Sequence, residues 1–272
     1  MTNEEKVGKS RIVMTQDEYF ALSEERKTVT PENLGGLLEY PALFRAMQDD
    51  RELRPALSPA MSTGRAMNDY ITCSATEFGD RYTVADGPVN PKTGKPYGTD
   101  SKAYLEWASK QDKTPVPSSE YAMFSNMAKA YEAHSAISSL SGYACIPNAV
   151  FRAVLSGVDC CVKVDKLYVS DGAVIAVDVK TTSDLCSFAR SADSLHYREQ
   201  QALISLVLSE NGIHDPQVII AAIEKGPIPR CGVFSVKGID GVEESLYKVL
   251  EDYGRSMASG SYRTNFEALM TL

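Results

Sequence analysis

Apolar and β-branched residues form three consecutive stretches in the second half of the chain. These are residues 149–155, 158–169 and 173–180, separated by Ser156-Gly157 and by Ser170-Asp171-Gly172. Alternation of apolar with polar positions predicts strands, and short polar breaks that contain glycine are hairpin signals. We therefore expect the three strands to pair antiparallel, as a meander that begins a sheet.

Further strands and helices are predicted on both sides of this meander. Residues 184–208 carry an apolar stripe that predicts a helix ending near Gly212. The continuous apolar run QVIIAAI at 217–223 is typical of a strand covered on both faces. A strand at 230–236 and an amphipathic helix at 241–257 follow. Upstream, helices are predicted at 16–25, from Thr30-Pro31 through Leu38, and at 42–47, 58–71, 99–111 and 118–139.

These elements indicate an α/β (α+β) fold class, with a central mixed β-sheet flanked by helices and a helical N-terminal region. Residues 1–29 are polar and mixed in charge, which predicts a loosely held lead-in. Residues 30–272 are long enough for one domain. We expect a mainly helical part at 30–145 and the sheet core at 146–260.

The composition, 43% hydrophobic and 24% charged, is that of an ordinary globular protein. No apolar run approaches the roughly 18 residues of a membrane span, and the acidic N-terminus lacks a signal-peptide core, so we expect a cytoplasmic protein. Six cysteines without a C-x-x-C pair predict buried thiols rather than zinc or disulfides. The net charge of −8 argues against a general nucleic-acid coat, but a cleft could still collect basic side chains locally.

Two aspartates and a lysine stand on the predicted second and third strands. Asp178 and Lys180 share one strand face, while Val177 and Val179 point into the core. The hairpin would bring Asp165 close to Asp178 across the strand pair. Two carboxylates and a backbone carbonyl are ligands that Mg²⁺ uses, and the lysine would position or deprotonate a water, or neutralise charge on a phosphate. For Asp178 and Lys180 alone, a salt-bridged strand end is the alternative.

This order of elements resembles the PD-(D/E)xK (restriction-endonuclease-like) nuclease core. Several motifs resemble those of phage and prophage exonucleases typified by the C-terminal domain of exonuclease VIII, with lambda exonuclease as a more distant relative. The D-x-K-T-T motif is Asp178-Val179-Lys180-Thr181-Thr182, and Y-x-x-Q-A/x-A corresponds to residues 197–202. Residues 40–44 look like the S-P-A-x-Y motif, and residues 64–68 like G-x-A-x-H. Together these motifs are far more specific than D-x-K alone.

The resemblance implies Mg²⁺-dependent hydrolysis of DNA phosphodiester bonds, with Mn²⁺ as a substitute for Mg²⁺. Asp165, Asp178 and the carbonyl of Val179 would hold the metal, and Lys180 would orient the attacking water. Tyr197 and Gln200 would contact a phosphate or anchor the site. The alternatives are a packed aromatic ring for Tyr197 and a solvated side chain for Gln200.

Two positions depart from the motifs that carry this resemblance. Asn68 stands where the histidine of the G-x-A-x-H helix is expected, in contact with substrate, and Asn148 stands where a metal-binding glutamate is expected. Asparagine can ligate weakly or hydrogen-bond to a metal-bound water, but it brings no charge. Either metal affinity is reduced, or catalysis is lost, or the family motifs align with other residues of this chain at these two positions.

By the same resemblance, the substrate would be a linear double-stranded DNA end, resected 5′ to 3′. The enzyme would be a ring-shaped homo-oligomer that feeds a single-strand annealing protein during phage recombination in a bacterial host. Two other hypotheses stay open. One is a non-catalytic module of the same fold that binds DNA ends or a protein, which Asn68 and Asn148 favour. The other is a structure-specific or defence-related endonuclease.

Overall fold

The structure is a computed structural model that describes residues 2–55 and 58–262, apart from the side chain of Lys6. The part of the chain before the central sheet is mainly helical, as predicted. Its helices are α1 (Asn3–Ser10), α2 (Gln16–Glu25), α3 (Leu34–Glu39), α4 (Pro41–Asp49), α5 (Pro59–Thr72), α6 (Ala75–Arg81), α7 (Lys102–Ala108), α8 (Ser118–Ala133) and α9 (Ser135–Ser138), with 3-10 turns at Arg51–Leu53 and Ser139–Gly142. Strands β1 (Tyr82–Val84) and β2 (Thr114–Val116) form a small parallel pair within this region.

The described residues also contain a five-stranded mixed sheet, which forms the centre of the fold. Its strands are β3 (Ala144–Leu155), β4 (Val158–Val169), β5 (Val174–Thr182), β6 (Gln217–Glu224) and β7 (Cys231–Ser235), in that spatial order. Helices α10 (Phe188–Ser194) and α11 (Tyr197–Glu210) connect β5 to β6, and α12 (Ile239–Ser259) follows β7. Only the β5–β6 pair is parallel among these strands. The predicted fold class, a mixed sheet flanked by helices, is confirmed.

The predicted meander is formed by β3, β4 and β5. Ser156 and Gly157 both have positive φ (51° and 80°), the conformation of a two-residue hairpin turn whose twist matches the strands. β3 begins at Ala144, earlier than predicted. It pairs with β4 in one continuous register, and the ladder omits only Asn148, which lies between the Pro147–Lys166 and Ala149–Val164 pairs and has φ of 50°. Proline and asparagine are residues that strands disfavour, which is why the sequence pattern did not reveal the first half of β3.

Two clusters of buried apolar side chains cover the two faces of the sheet. Helices α3, α4, α11 and α12 pack on one face, and α5 and α8 pack on the other. On β5, Val174 and Ala176 belong to the first cluster, whereas Ile175, Val177 and Val179 belong to the second. The prediction that Val177 and Val179 point into the core is therefore confirmed.

The N-terminal lead-in is not loosely held, and that expectation was wrong. Val7 and Tyr19 are fully buried. Ile12 N donates to Val150 O at 2.8 Å, and Val29 N donates to Asp159 O at 2.8 Å, so the segment follows the sheet at two points. Its apolar residues are too widely spaced to form a periodic stripe, which is why the sequence pattern did not reveal the packing. Within the segment, helix α2 lies where it was predicted.

Tyr19→Ala is expected to lower the free energy of unfolding by about 3 to 5 kcal/mol, the usual cost of truncating a buried aromatic side chain. The change removes a fully buried ring whose hydroxyl donates to Glu32 Oε2 at 2.6 Å. Urea unfolding followed by circular dichroism measures the difference. Tyr247→Ala, on the exposed side of α12, is the matched control. If Tyr19→Ala lowered the free energy of unfolding no more than Tyr247→Ala does, the packing of the lead-in through Tyr19 would not stabilise the fold.

Three helix predictions required correction. The helix predicted from Thr30-Pro31 begins at Leu34, because the Asn33 side chain accepts from Thr30 N at 2.9 Å and holds a turn first. The single helix predicted at 184–208 is divided into α10 and α11 by His196, whose φ is 55°. The helix predicted at 118–139 ends at Ala133, and the His134 side chain caps the next short helix, α9, by accepting from Ala136 N at 3.2 Å. Among the described helices, none is long and apolar enough to span a membrane.

Candidate active site

The candidate site lies where β4 and β5 separate. Their ladder runs from the hairpin to the Lys166–Val177 pair and stops there. Beyond this point, the carboxylate of Asp165 accepts a hydrogen bond from the backbone N–H of Val179 at 2.8 Å. The side chain thus satisfies a backbone donor that a neighbouring strand would otherwise satisfy. This arrangement fixes the Asp165 carboxylate beside the strand that carries Asp178 and Lys180.

Asp165 is 5% exposed, and both of its oxygens have partners. Oδ1 accepts from Lys163 Nζ at 2.6 Å, and Oδ2 accepts from Asn68 Nδ2 at 2.6 Å as well as from Val179 N. Burial alone would raise the pKa of Asp165, but the charge and hydrogen bond of Lys163, helped by the Val179 N–H, outweigh it and hold the pKa below its usual value. Lys163 and the Val179 N–H both favour the ionised form of the Asp165 carboxylate, and its hydrogen bonds fix its orientation.

Asp178 is also buried, at 9% exposure, but its surroundings differ. Its Oδ2 accepts from Gln201 Nε2 at 2.6 Å and pairs with Lys180 Nζ at 3.0 Å. Among the described residues, no hydrogen bond reaches Oδ1. Burial raises the pKa of Asp178 above its ordinary value, with the charge of Asp165 adding to the rise, and Lys180 and Gln201 offset it only in part. An additional cation near Oδ1 would stabilise this carboxylate.

Lys180 is held between an anion and an aromatic ring. Its Nζ lies 3.0 Å from Asp178 Oδ2 and 4.9 Å from the centroid of the Tyr197 ring. Burial alone would lower the pKa of Lys180, but the charges of Asp178, Tyr197 and Asp165 raise it above its ordinary value. A protonated ammonium donates hydrogen bonds and stabilises negative charge, and a phosphate group is bound through both interactions.

The two aspartates and Lys180 line one cleft of about 350 Å³. The carboxylate and cationic side chains among the described residues that line it are Glu32, Arg65, Asp69, Lys163, Asp165, Asp178, Lys180 and Lys225. Acidic and basic groups are equal in number there, although the whole chain carries a net charge of −8. The cleft therefore concentrates basic side chains relative to the rest of the surface, which suits a phosphate-bearing ligand.

The structure brings most of the sequence-predicted site residues to this cleft. Asn68 reaches it from α5, and Tyr197 reaches it from the first turn of α11. Asn148 does not line it. It lies in β3 with φ of 50°, at the one position that the ladder with β4 omits, and its Oδ1 accepts from Lys163 Nζ at 3.3 Å. Lys163 thus connects Asn148 to Asp165, and Asn148 lies outside the cleft that the two aspartates line.

Gln200, which was predicted to contact a phosphate or anchor the site, lies outside the cleft lining. The neighbouring residue Gln201 contacts the site in its place. Gln200 is buried and donates to Leu195 O at 3.2 Å. Gln201 lies one turn after Tyr197 and donates to Asp178, because residues four apart share a helix face. The spacing from Tyr197 could have indicated Gln201.

Lys163 is another residue of the site that the sequence pattern did not single out, as are Arg65 and Lys225 of the cleft lining. It stands two positions before Asp165 in β4 and so shares its strand face. The same alternation that placed Lys180 beside Asp178 could have placed Lys163 beside Asp165.

The donor set fits one hard divalent cation. Asp165 and Asp178 supply two carboxylates at the same cleft, with a free oxygen on Asp178. Mg²⁺ is commonly held by one or two carboxylates and keeps several waters. Across the part of the chain that the structure describes, no group of three or more His, Cys, Asp or Glu side chains is arranged to hold a metal. A carbonyl and waters would complete the coordination of any ion bound by these two aspartates.

No protein-family model matches the chain, and no curated protein matches it. Among solved structures, a "putative exonuclease" from Eubacterium rectale superposes with a TM-score of 0.61 at 14% identity, over 93% of this chain and 89% of that one. SSO0001 superposes with a TM-score of only 0.29 at 17% identity, over 55% of this chain and 72% of that one, which does not indicate a shared fold. The first likeness shows that this chain shares the fold of the Eubacterium rectale protein.

Proposed function

We propose that this protein is a metal-dependent deoxyribonuclease that hydrolyses phosphodiester bonds. The observation that carries the proposal is the convergence of Asp165, Asp178 and Lys180 in one cleft. The fold on which they converge is also that of the Eubacterium rectale protein described as a "putative exonuclease". Two carboxylates and an ammonium in this arrangement suit the chemistry of phosphate ester hydrolysis, in which an anionic centre gains charge.

Asp165, Asp178 and the carbonyl of Val179 would hold Mg²⁺, with Mn²⁺ as a substitute. The bound ion would stabilise negative charge on the reacting phosphate and lower the pKa of a coordinated water. Lys180 donates a hydrogen bond to the attacking water or to a phosphate oxygen from its place between Asp178 and Tyr197. Gln201 and Asn68 fix the orientation of the two carboxylates through hydrogen bonds of 2.6 Å each.

The substrate in this proposal is a linear double-stranded DNA end, resected 5′ to 3′. Arg65 and Lys225 line the same cleft and would contact backbone phosphates on either side of the scissile bond. In this proposal the protein forms a ring-shaped homo-oligomer and acts with a single-strand annealing partner. The process is phage-type recombination in the bacterial cytoplasm. These further parts rest on the resemblance of the D-x-K-T-T and Y-x-x-Q motifs.

A second candidate function is a DNA-end or protein-binding module with weakened or lost catalysis. Two observations favour it. Lys163 already occupies one oxygen of Asp165, and Asn148 stands where a third carboxylate is expected. Both features reduce the negative charge that a divalent metal requires.

The test is incubation of the purified protein with 5′-phosphorylated linear duplex, closed circular duplex and single-stranded DNA, each with Mg²⁺, Mn²⁺ or EDTA. The expected result is metal-dependent loss of linear duplex, with circles spared and EDTA abolishing the reaction. Cleavage of closed circles would indicate an endonuclease instead. If folded protein cleaves none of the three substrates in either metal, the binding module becomes the better explanation.

Gln201→Leu is expected to lower cleavage by about tenfold to a hundredfold, because the Asp178 carboxylate loses the donor that orients it. The free energy of unfolding should change by only about 1 kcal/mol, because the lost hydrogen bond is offset by removal of Gln201 Oε1, a buried oxygen without a partner. Cleavage assays and urea unfolding give the two values. Gln200→Leu is the matched control, since Gln200 Oε1 is also buried and unpartnered but its amide does not contact Asp178. Similar activity in the two variants would contradict an orienting role for Gln201.

A further inference from the structure

Lys163 places a fixed positive charge against one of the two carboxylates of the candidate site. Its Nζ lies 2.6 Å from Asp165 Oδ1, and its side chain is only 4% exposed. Lys163 and Asp165 are two residues apart on β4, so the strand itself holds them on one face. The ammonium cannot turn out into solvent without leaving the packed interior, where an unpaired charge is costly.

Neighbouring residues hold the ammonium of Lys163 in this position. Asn148 Oδ1 accepts from Nζ at 3.3 Å, and the Phe20 ring of α2 lies 5.9 Å from it. Asn148 adopts the left-handed conformation that asparagine tolerates, at the position where the β3–β4 ladder is interrupted. Asn148 therefore supplies a neutral acceptor for Lys163 at the place where the motif resemblance predicts a carboxylate.

The formal charges of Asp165, Asp178, Lys163 and Lys180 cancel before any metal enters the site. A site built only to attract a divalent cation would present excess negative charge. We propose that Lys163 is a positioning residue that acts as a built-in counter-cation, holding Asp165 in place while it weakens the affinity of the site for divalent metal. The inference rests on the proposed function, since it takes Asp165 and Asp178 as the metal ligands.

The test is a Mn²⁺ titration of the purified protein, followed by the electron paramagnetic resonance signal of free Mn²⁺. Lys163→Met should bind Mn²⁺ about tenfold or more tightly than the unaltered protein, because one positive charge a few ångströms from the ion has been removed. Lys166→Met is the matched control. It makes the same substitution on the same strand, at a lysine that lies over the Tyr131 ring instead of against Asp165, and should leave Mn²⁺ affinity unchanged.

Asn148→Asp is a second variant that decides the matter if Lys163→Met fails to fold. It adds a negative charge next to Lys163 Nζ, at a left-handed position that aspartate also tolerates. It should likewise raise Mn²⁺ affinity by about tenfold. Unchanged or weaker Mn²⁺ binding in the folded variants would overturn the inference. DNA cleavage by the unaltered protein is scored separately. If the variants bind Mn²⁺ more tightly but the unaltered protein does not cleave DNA, the inference about Lys163 is supported and the proposed function is not. If the unaltered protein cleaves DNA but the variants bind Mn²⁺ with unchanged affinity, the proposed function is supported and the inference about Lys163 is overturned.

Discussion

Asp178→Asn is expected to lower metal-dependent DNA cleavage by about a thousandfold or more, since a carboxylate that holds a catalytic metal supplies several kcal/mol of transition-state stabilisation. The substitution keeps the shape of the side chain and an oxygen that can accept from Gln201 Nε2. It removes the negative charge that a divalent cation and Lys180 both require. The loss should appear in kcat with Mg²⁺ and with Mn²⁺, measured on linear duplex.

The folded state should survive Asp178→Asn, which circular dichroism and thermal unfolding will show. Asp171→Asn is the matched control, because it makes the same substitution at an exposed residue in the turn between β4 and β5. Its cleavage rate should equal that of the unaltered protein. Retention of full activity by a folded Asp178→Asn variant would place the chemistry outside this cleft.

Lys180→Met is expected to lower kcat by about a hundredfold or more, the usual cost of removing one donor aimed at developing charge. The methionine fills a similar volume beside the Tyr197 ring but offers no hydrogen bond to water or phosphate. KM for DNA should change much less than kcat, because Lys180 is largely buried next to Asp178 instead of lying along the path of the DNA backbone. Steady-state rates on linear duplex at several DNA concentrations separate the two constants.

Two comparisons make the result for Lys180 specific. Lys180→Arg keeps the positive charge and should restore part of kcat, although the guanidinium is larger and cannot reproduce the same point contact. Lys237→Met removes an exposed lysine outside the cleft lining and should leave kcat unchanged. If Lys180→Met raised KM and left kcat intact, Lys180 would be a DNA-binding residue and not part of the reaction.

Local sequence pattern was sufficient for the strands that carry the site. The β4–β5 hairpin was evident from two β-branched runs around Ser170-Asp171-Gly172, and its register brings Asp165 and Asp178 to one cleft as expected. Alternation along a strand also predicted that Asp178 and Lys180 share a face, which the 3.0 Å ion pair confirms. Each of these inferences depends on neighbours within a few residues, where backbone geometry leaves little choice.

Residues brought in from distant segments were harder to place. The resemblance selected Gln200, but in the structure it is Gln201 that donates to Asp178, while Gln200 donates to Leu195 O. Asn148 was predicted as a metal ligand, but its side chain accepts from Lys163 and does not line the cleft. The packing of the lead-in through Tyr19 was missed because a single buried aromatic creates no periodic pattern.

Contacts between close neighbours along the chain account for β4, β5, their hairpin and the shared face of Asp178 and Lys180, because backbone hydrogen bonding and side-chain alternation act locally. The partners that reach the carboxylates from other elements depend on how the chain packs: Asn68 of α5 donates to Asp165, and Gln201 of α11 donates to Asp178. Burial, which raises the pKa of Asp178, is likewise a property of the packed structure and not of the spacing of residues along the chain.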